Sequence, residues 1–241
     1  MLEVIGLSGL FGLKYKPSEL ASLIDHTLLK PDASYMVLEK YIDDTKKYGF
    51  KLLMIPLSLV EKAREIAGNT IELGVVVGFP LGSTSTKSKV NEAIEAGDHG
   101  VSEVDMVMNI NAFKSGDYGY VLRDIKAVVD AARSHGVKVV KVIIETGLLS
   151  DEEKVKATEL VIEGGADFVK TCTGFLGGAA TVHDVYLLKN ASGGRVRVKA
   201  AGGIRRALDA LALIAAGADR IGTSSGDKIM EDYIKLLHGR G

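Results

Sequence analysis

The chain has 241 residues, 46% of them hydrophobic, enough for one large core and close to the roughly 250 residues typical of a closed eight-stranded α/β barrel. Thirty basic residues against thirty-one acidic ones leave a formal charge of −1, so no global field draws in nucleic acid or an anionic membrane, and any anion must be held by local geometry. The lone cysteine, Cys172, excludes an intrachain disulfide and a thiolate metal cluster and fits a reducing cytoplasm.

The first thirteen residues, MLEVIGLSGLFGL, are apolar, but Glu3 stands where a secretory signal needs a basic residue and Lys14 and Lys16 come after the apolar run. This stretch reads as a packing or interface segment within an N-terminal extension of residues 1–20. No later run reaches the length of about eighteen apolar residues that a membrane span requires.

Beyond the extension, short apolar runs alternate with segments of helical periodicity. The strand candidates are LIDHTLL near residue 25, KLLMIP near 53, ELGVVVGF near 76, SEVDMVMN near 105, KVVKVIIE near 141, ADFVKTCT near 170, RVRVKAA near 198 and ADRIGTS near 220. Each leads into a helix-like segment. In two of these, Val121, Ile125, Val128, Val129 and Ala132, and Ile229, Met230, Tyr233, Ile234 and Leu237, recur at helical spacing and should face the core. Gly165-Ala166-Asp167 and Gly217-Ala218-Asp219 each close a helix and open a strand, with Gly97-Asp98 as a weaker echo, so the chain reads as one βα unit repeated. Eight such units predict a single-domain (β/α)₈ barrel of the TIM type over residues 1–241. The G-x-G-x-x-G of a dinucleotide fold and the Walker A sequence are both absent.

In such a barrel the active site lies at the C-terminal ends of the strands, so charges embedded in apolar runs are its candidate residues. Asp25, Asp105, Lys141, Lys170 and Lys199 qualify. Any one of them alone reads as a structural ion pair or as a side chain reaching the rim. Lys170 and Lys199 fall on consecutive strands, however, and two ammonium groups in a confined apolar site repel each other. One of them should have a lowered pKa; a fall from about 10.4 to about 7.4 represents roughly 4 kcal/mol. A neutral amine attacks a carbonyl to form a Schiff base, and Asp105 is placed to move protons while the carbinolamine forms and collapses. Which of the two lysines bonds to carbon stays open on this reasoning.

Glycine-rich turns open the last two helices: Ala201-Gly202-Gly203-Ile204 and Gly222-Thr223-Ser224-Ser225-Gly226, with Thr173-Gly174 as a third. Glycines let backbone approach phosphate oxygens, and helix N-termini offer free amides; plain βα turns need the same residues. The second turn also matches the G-x-S-x-G of serine hydrolases, but the only later histidine, His238, stands three residues from the end of the sequence. The five histidines show no metal-ligand spacing, and no metal or other cofactor is expected. His26 reads as a packed, hydrogen-bonded residue and Cys172 as a small core residue.

Taken in order, Leu23-Ile-Asp25-His-Thr27-Leu28, Glu103-Val-Asp105-Met-Val-Met-Asn109, Lys141-Val-Ile-Ile-Glu145-Thr146-Gly147, Phe168-Val-Lys170-Thr171-Cys172-Thr173-Gly174 and Val198-Lys199-Ala-Ala-Gly202-Gly203-Ile204-Arg205 resemble the deoxyribose-phosphate aldolases over nearly all the chain after residue 20. The resemblance implies reversible, metal-free cleavage of 2-deoxy-D-ribose 5-phosphate to acetaldehyde and D-glyceraldehyde 3-phosphate, with Lys170 as the Schiff-base nucleophile. It implies Asp105 and Lys199 as proton donor and acceptor, with Asp25, Lys141 and Thr171 in support. Gly174, Gly202, Gly203, Ser224 and Ser225 then hold the phosphate, and the barrel associates with copies of itself as a dimer or tetramer. Two positions depart from the pattern: Phe175, where some members carry a lysine near the phosphate, and Leu53, where many carry a cysteine. The rival readings are another phosphate-binding barrel, such as a sugar-phosphate isomerase or a lysine aldolase for keto acids, and a sensor or scaffold that binds a phosphorylated metabolite without turnover.

Overall fold

The computed structural model describes residues 15–238, so the apolar segment at the N-terminus lies outside the described residues. Eight parallel strands close into a barrel in sequence order: β1 (Ile24–Thr27), β2 (Leu52–Ile55), β3 (Leu73–Val77), β4 (Glu103–Val107), β5 (Val139–Ile143), β6 (Phe168–Lys170), β7 (Arg197–Ala201) and β8 (Arg220–Thr223), with β8 pairing back onto β1. All eight coincide with the apolar runs of the sequence. Strands buried on both faces need no polar alternation, which is why the runs read as nearly continuous.

Around them lie α1 (Pro17–Ala21), α2 (Tyr35–Tyr48), α3 (Val60–Ala67), α4 (Thr86–Asp98), α5 (Ile110–Lys114), α6 (Tyr118–Ser134), α7 (Asp151–Glu163), α8 (Val182–Ser192), α9 (Ala207–Ala215) and α10 (Gly226–Leu237). Ser150 and Glu153 form a reciprocal cap that starts α7, and Gly49, in the left-handed conformation, stops α2. The predicted stripe of α6 is buried throughout. That of α10 is buried at Ile229, Met230 and Tyr233 but runs out at Leu237, which is 37% exposed at the helix end. Of the extension, α1 buries Leu20 and Ala21, and the Tyr233 hydroxyl donates to the Tyr15 carbonyl at 2.6 Å.

The repeated junctions do the same work twice. Asp167 Oδ2 accepts the N–H of Val140 and Asp219 Oδ2 accepts that of Val198, each at 2.8 Å, so each aspartate ties the start of its own strand to the strand before it. Asp98 does not repeat this: it ends α4 and pairs with His135 at 2.7 Å.

Two apolar cores result. The larger lies between the barrel wall and the helices, where a fully buried Val or Ile such as Val75 or Ile221 contributes roughly 1.5–3 kcal/mol. The smaller sits inside the barrel on β2 and β3, where Leu52, Met54 and Val76 pack with Leu29 and Phe79. The interior on β4 to β8 and β1 carries a cluster of charges, with the Phe168 ring buried among them. Among the described residues, no helix is long and apolar enough to cross a membrane.

Candidate active site

Inward-facing positions of β4 to β8 and β1 carry Glu103, Asp105, Lys141, Lys170, Lys199, Arg220 and Asp25, all buried. Asp105 is the hub. Its Oδ1 accepts from Lys141 Nζ at 2.8 Å, and its Oδ2 accepts from both Lys170 and Lys199 at 2.7 Å. Lys199 also donates to Asp25 Oδ2 at 2.5 Å, and Arg220 donates to Asp25 Oδ1 at 2.6 Å. Glu103 closes the network, 2.6 Å from Lys141 and 3.4 Å from Arg220.

Three carboxylates thus face four cations, and the shortfall falls unevenly. Among the described residues, Lys141 has carboxylate oxygens of Glu103, Asp105 and Asp25 within 3.8 Å, Lys199 has two carboxylate partners, and Lys170 has only Asp105. Burial therefore dominates at Lys170; with repulsion from Lys199 and Lys141 it outweighs the attraction of Asp105, and the pKa falls to about 8. At Lys141 the same burial is overcome by Asp105, Asp25 and Glu103, which raise its pKa. Burial likewise opposes ionisation of Asp105, but Lys141, Lys170 and Lys199 together hold it well below the usual carboxylate range. Asp25 is lowered in the same way by Lys199, Lys141 and Arg220.

Of the three clustered amines, only Lys170 borders a cavity, one of about 330 Å³ that opens at the C-terminal ends of the strands. Above it, the cavity wall is made by Thr173-Gly174-Phe175, by Gly202 to Arg205 and by Thr223-Ser224. Gly202 has φ +106°, a conformation side chains rarely adopt, and a Cβ there would lie 3.1 Å from the Gly178 carbonyl oxygen. Gly222 is glycine for lack of room: a Cβ would come within 2.9 Å of Lys199 Cε.

The expected residues do not all meet the cavity. Gly174, Gly202, Gly203 and Ser224 line it, whereas Ser225 lies just beyond and spends its N–H on Thr223 Oγ1 at 2.9 Å. Asp25, Asp105, Lys141 and Lys199 do not border the cavity; Asp105, which holds Lys170, links the others to it. Thr171 faces β7, where its hydroxyl donates to the Ala201 carbonyl at 2.9 Å and accepts the Ala201 N–H at 3.0 Å, clamping the two strands that carry the lysines. The sequence reading overlooked Glu103 and Arg220 in the ion network and Lys30 and Arg205 at the mouth. Glu103 stands two residues before Asp105, the spacing that puts both on one face of a strand, and Arg220 stands two residues before Gly222 at the start of β8.

Three smaller expectations are settled. Cys172 is buried, shares a 3.3 Å hydrogen bond with Thr146 Oγ1, and has its thiol pKa pushed up by burial, which disfavours the thiolate. His26 is packed but, against expectation, neither ring nitrogen has a hydrogen-bond partner among the described residues. It stacks on Tyr41, its Nε2 stays 4.0 Å from Asp44, and burial pushes its pKa down to about 4. Leu53 faces the outer core, away from the cavity, so the cysteine it replaces is not missed there. Among the described residues, the one group with metal-ligand geometry is Asp151, His183 and Asp184, at the starts of α7 and α8. None of the three borders the cavity, and Lys154 already bridges the two aspartates at 2.9 and 2.7 Å.

Fold and site define a class: a (β/α)₈ barrel that holds a buried, low-pKa lysine beneath a glycine-lined mouth. Residues 21–232 match the family model described as DeoC/LacD family aldolase. A deoxyribose-phosphate aldolase of a Thermoanaerobacter species is 51% identical over 218 residues, covering 90% of this chain and 98% of the relative. Among solved structures, one described as QR15, an aldolase, superposes with a TM-score of 0.86 at 41% identity, covering 91% of this chain and 98% of that one. A deoxyribose phosphate aldolase from Aeropyrum pernix, described as having a unique tetrameric structure, gives a TM-score of 0.83 at 33% identity, covering 92% and 93%. The chain belongs to the DeoC/LacD family of aldolases and is a lyase.

Proposed function

We propose that the enzyme reversibly cleaves 2-deoxy-D-ribose 5-phosphate to acetaldehyde and D-glyceraldehyde 3-phosphate through a Schiff base on Lys170. One observation carries the choice of amine: Lys170 alone combines the cavity position with a single carboxylate partner. A pKa of about 8 leaves about a tenth of this amine neutral at pH 7, roughly three hundredfold more than an ordinary lysine.

Neutral Lys170 Nζ attacks the C1 aldehyde of the open-chain sugar, and loss of water leaves a protonated imine. The C3 hydroxyl then gives up its proton and the C2–C3 bond breaks, its electron pair moving into the imine to form an enamine as glyceraldehyde 3-phosphate departs. The enamine takes a proton at C2, and water hydrolyses the resulting imine to acetaldehyde and free Lys170. Asp105 and Lys199 are the proton donor and acceptor. Both lie within hydrogen-bond reach of one another and Asp105 also touches the reacting amine, so protons circulate without crossing solvent. Asp25 and Lys141 hold Lys199 and Asp105 in place. The electron sink is the protonated imine, so this chemistry calls on no metal.

At the other end of the substrate, Gly174, Gly202, Gly203 and Ser224 offer backbone and hydroxyl donors to the phosphate, and Ser225 continues the same turn just outside the cavity lining. Lys30 and Arg205 supply positive charge at the mouth, where Phe175 supplies none. The tetramer described for the Aeropyrum relative supports a homo-oligomer here, dimer or tetramer, and the reduced, buried Cys172 is in keeping with a cytoplasmic enzyme.

The test is to supply 2-deoxy-D-ribose 5-phosphate and follow both products, alongside pyruvate-derived aldols as the keto-acid alternative. Release of acetaldehyde that Lys170→Arg abolishes, with the fold retained, supports the reading, because a guanidinium provides no neutral amine. Turnover of the keto-acid aldols alone, or wild-type rates in the variant, refutes it.

A further inference from the structure

Behind the cavity mouth, on the outer face of the barrel, α2 and α10 enclose an aromatic stack. The Tyr41 ring lies 4.3 Å from that of His26 with 12° between their planes, and His26 packs in turn on Phe50 at 4.9 Å. Among the described residues the His26 ring has no hydrogen-bond partner, and its stacking on Tyr41 and Phe50 is its contribution here. Gly226, the first residue of α10, makes room for it: a Cβ there would lie 2.8 Å from His26 Nδ1 and 2.9 Å from Phe50 Cζ. The stack therefore sits directly under the first turn of α10 and fixes the direction of the Tyr41 hydroxyl.

That hydroxyl donates to the Ser224 carbonyl at 2.9 Å. The N–H at the other side of the same peptide group, that of Ser225, donates to Thr223 Oγ1 at 2.9 Å, and the Thr223 hydroxyl donates to the Ile204 carbonyl at 2.7 Å. A continuous chain of hydrogen bonds thus runs from α2 through the turn after β8 to the turn after β7. The peptide between Ser224 and Ser225 is pinned from both sides. Neither Tyr41 nor His26 borders the cavity.

We infer that Tyr41 is a positioning residue for phosphate recognition: its hydroxyl, held by the stack on His26, sets the Ser224–Ser225 peptide in register with Gly202-Gly203 so that both turns face one phosphate group. The inference rests on the proposed phosphate role of these turns. It places the effect of Tyr41 on binding of the phosphate end and not on the amine chemistry below.

Tyr41→Phe keeps the ring and the stack and removes only the hydroxyl. Two quantities are compared with wild type: the Kd of inorganic phosphate by calorimetry, and the ratio of kcat/KM for 2-deoxy-D-ribose 5-phosphate to that for 2-deoxy-D-ribose. Loss of one hydrogen bond that orders the cradle should weaken phosphate binding about fivefold and lower the ratio by about the same factor. A purely structural Tyr41 would lower both rates together and leave the ratio and the Kd unchanged; that result overturns the inference, as does absence of phosphate binding by the wild type. Phosphate binding by a wild type that cleaves neither sugar would refute the assigned substrate instead, and the Kd of the variant would still decide the part played by Tyr41.

Discussion

Lys170 and Lys199 are register partners on adjacent strands and donate to the same oxygen, Asp105 Oδ2, at the same distance of 2.7 Å. Their difference lies in what else they touch. Among the described residues, Lys199 has Asp25 as a second anion and does not border the cavity, whereas Lys170 has no second carboxylate and reaches the cavity. The pair acts as one device: burial depresses the pKa of Lys170, and the better-neutralised Lys199 beside it lowers it further.

If Lys170 reacts as the free amine, kcat/KM for the wild type should rise with pH through about 8, the value to which burial and Lys199 bring it. Lys199→Met removes a repelling charge and leaves Asp105 less shared, so the pKa of Lys170 must rise. The limb of the pH–rate profile then moves to higher pH, on top of the lower plateau expected if Lys199 has the proposed proton-transfer role. An unshifted limb would show that another group governs it.

The buried amine also costs stability. Its folded pKa of about 8 lies below the unfolded value of about 10.4, so between these the unfolded chain binds the extra proton and stability rises with pH. Below pH 8 the full penalty is present, at most about 3 kcal/mol, a net figure that already includes the attraction to Asp105. Lys170→Met should therefore raise Tm at pH 7, by roughly 2–4 °C for each kcal/mol recovered, and the advantage should shrink as the pH rises from 8 to 10. Thermal melts of both proteins across that range provide the check.

Gly222→Ala tests the packing around Lys199. The added Cβ would sit 2.9 Å from Lys199 Cε and 3.0 Å from Ala201 Cβ, so the side chain of Lys199 must shift away from Asp25 and Asp105. A displacement near 1 Å in such a site is enough for about a hundredfold loss of kcat. Circular dichroism should show the fold intact. A near-normal kcat would mean that the position of Lys199 is less critical than its contacts imply.

At the mouth, Phe175 is 48% exposed and packs edge-on against Phe79, with ring centres 5.2 Å apart. Phe175→Lys adds a cation beside Gly174 and should lower KM for the phosphorylated sugar several-fold at low salt, with the gain fading as ionic strength rises. Turnover of 2-deoxy-D-ribose should not gain. Equal improvement for both sugars would place the effect elsewhere.

The barrel was legible in the sequence because a strand covered on both faces leaves an unbroken apolar run, and eight runs separated by helical periodicity admit few other architectures. The charges within those runs marked the site for the same reason: Asp25, Asp105, Lys141, Lys170 and Lys199 had no cause to lie in a core unless they lay together. Glu103 and Arg220 escaped notice because each begins its strand, where a charge reads as a solvated end. Barrel closure turns those ends inward, and Arg220 reaches both Asp25 and Glu103 across the interior. The symmetry between Lys170 and Lys199 also had to wait for the structure, since spacing along the chain makes them neighbours without counting their carboxylates. The link from Tyr41 to Ser224 spans 183 residues, and no local pattern announces it.

Reductive trapping bears most directly on the central assignment. The enzyme is incubated with acetaldehyde and borohydride, digested, and the modified lysine located by mass spectrometry. A stable ethyl group on Lys170, lost in Lys170→Arg, is the result expected of the amine that bonds to carbon. An adduct on Lys199 in its place, or modification confined to surface lysines, would contradict the account.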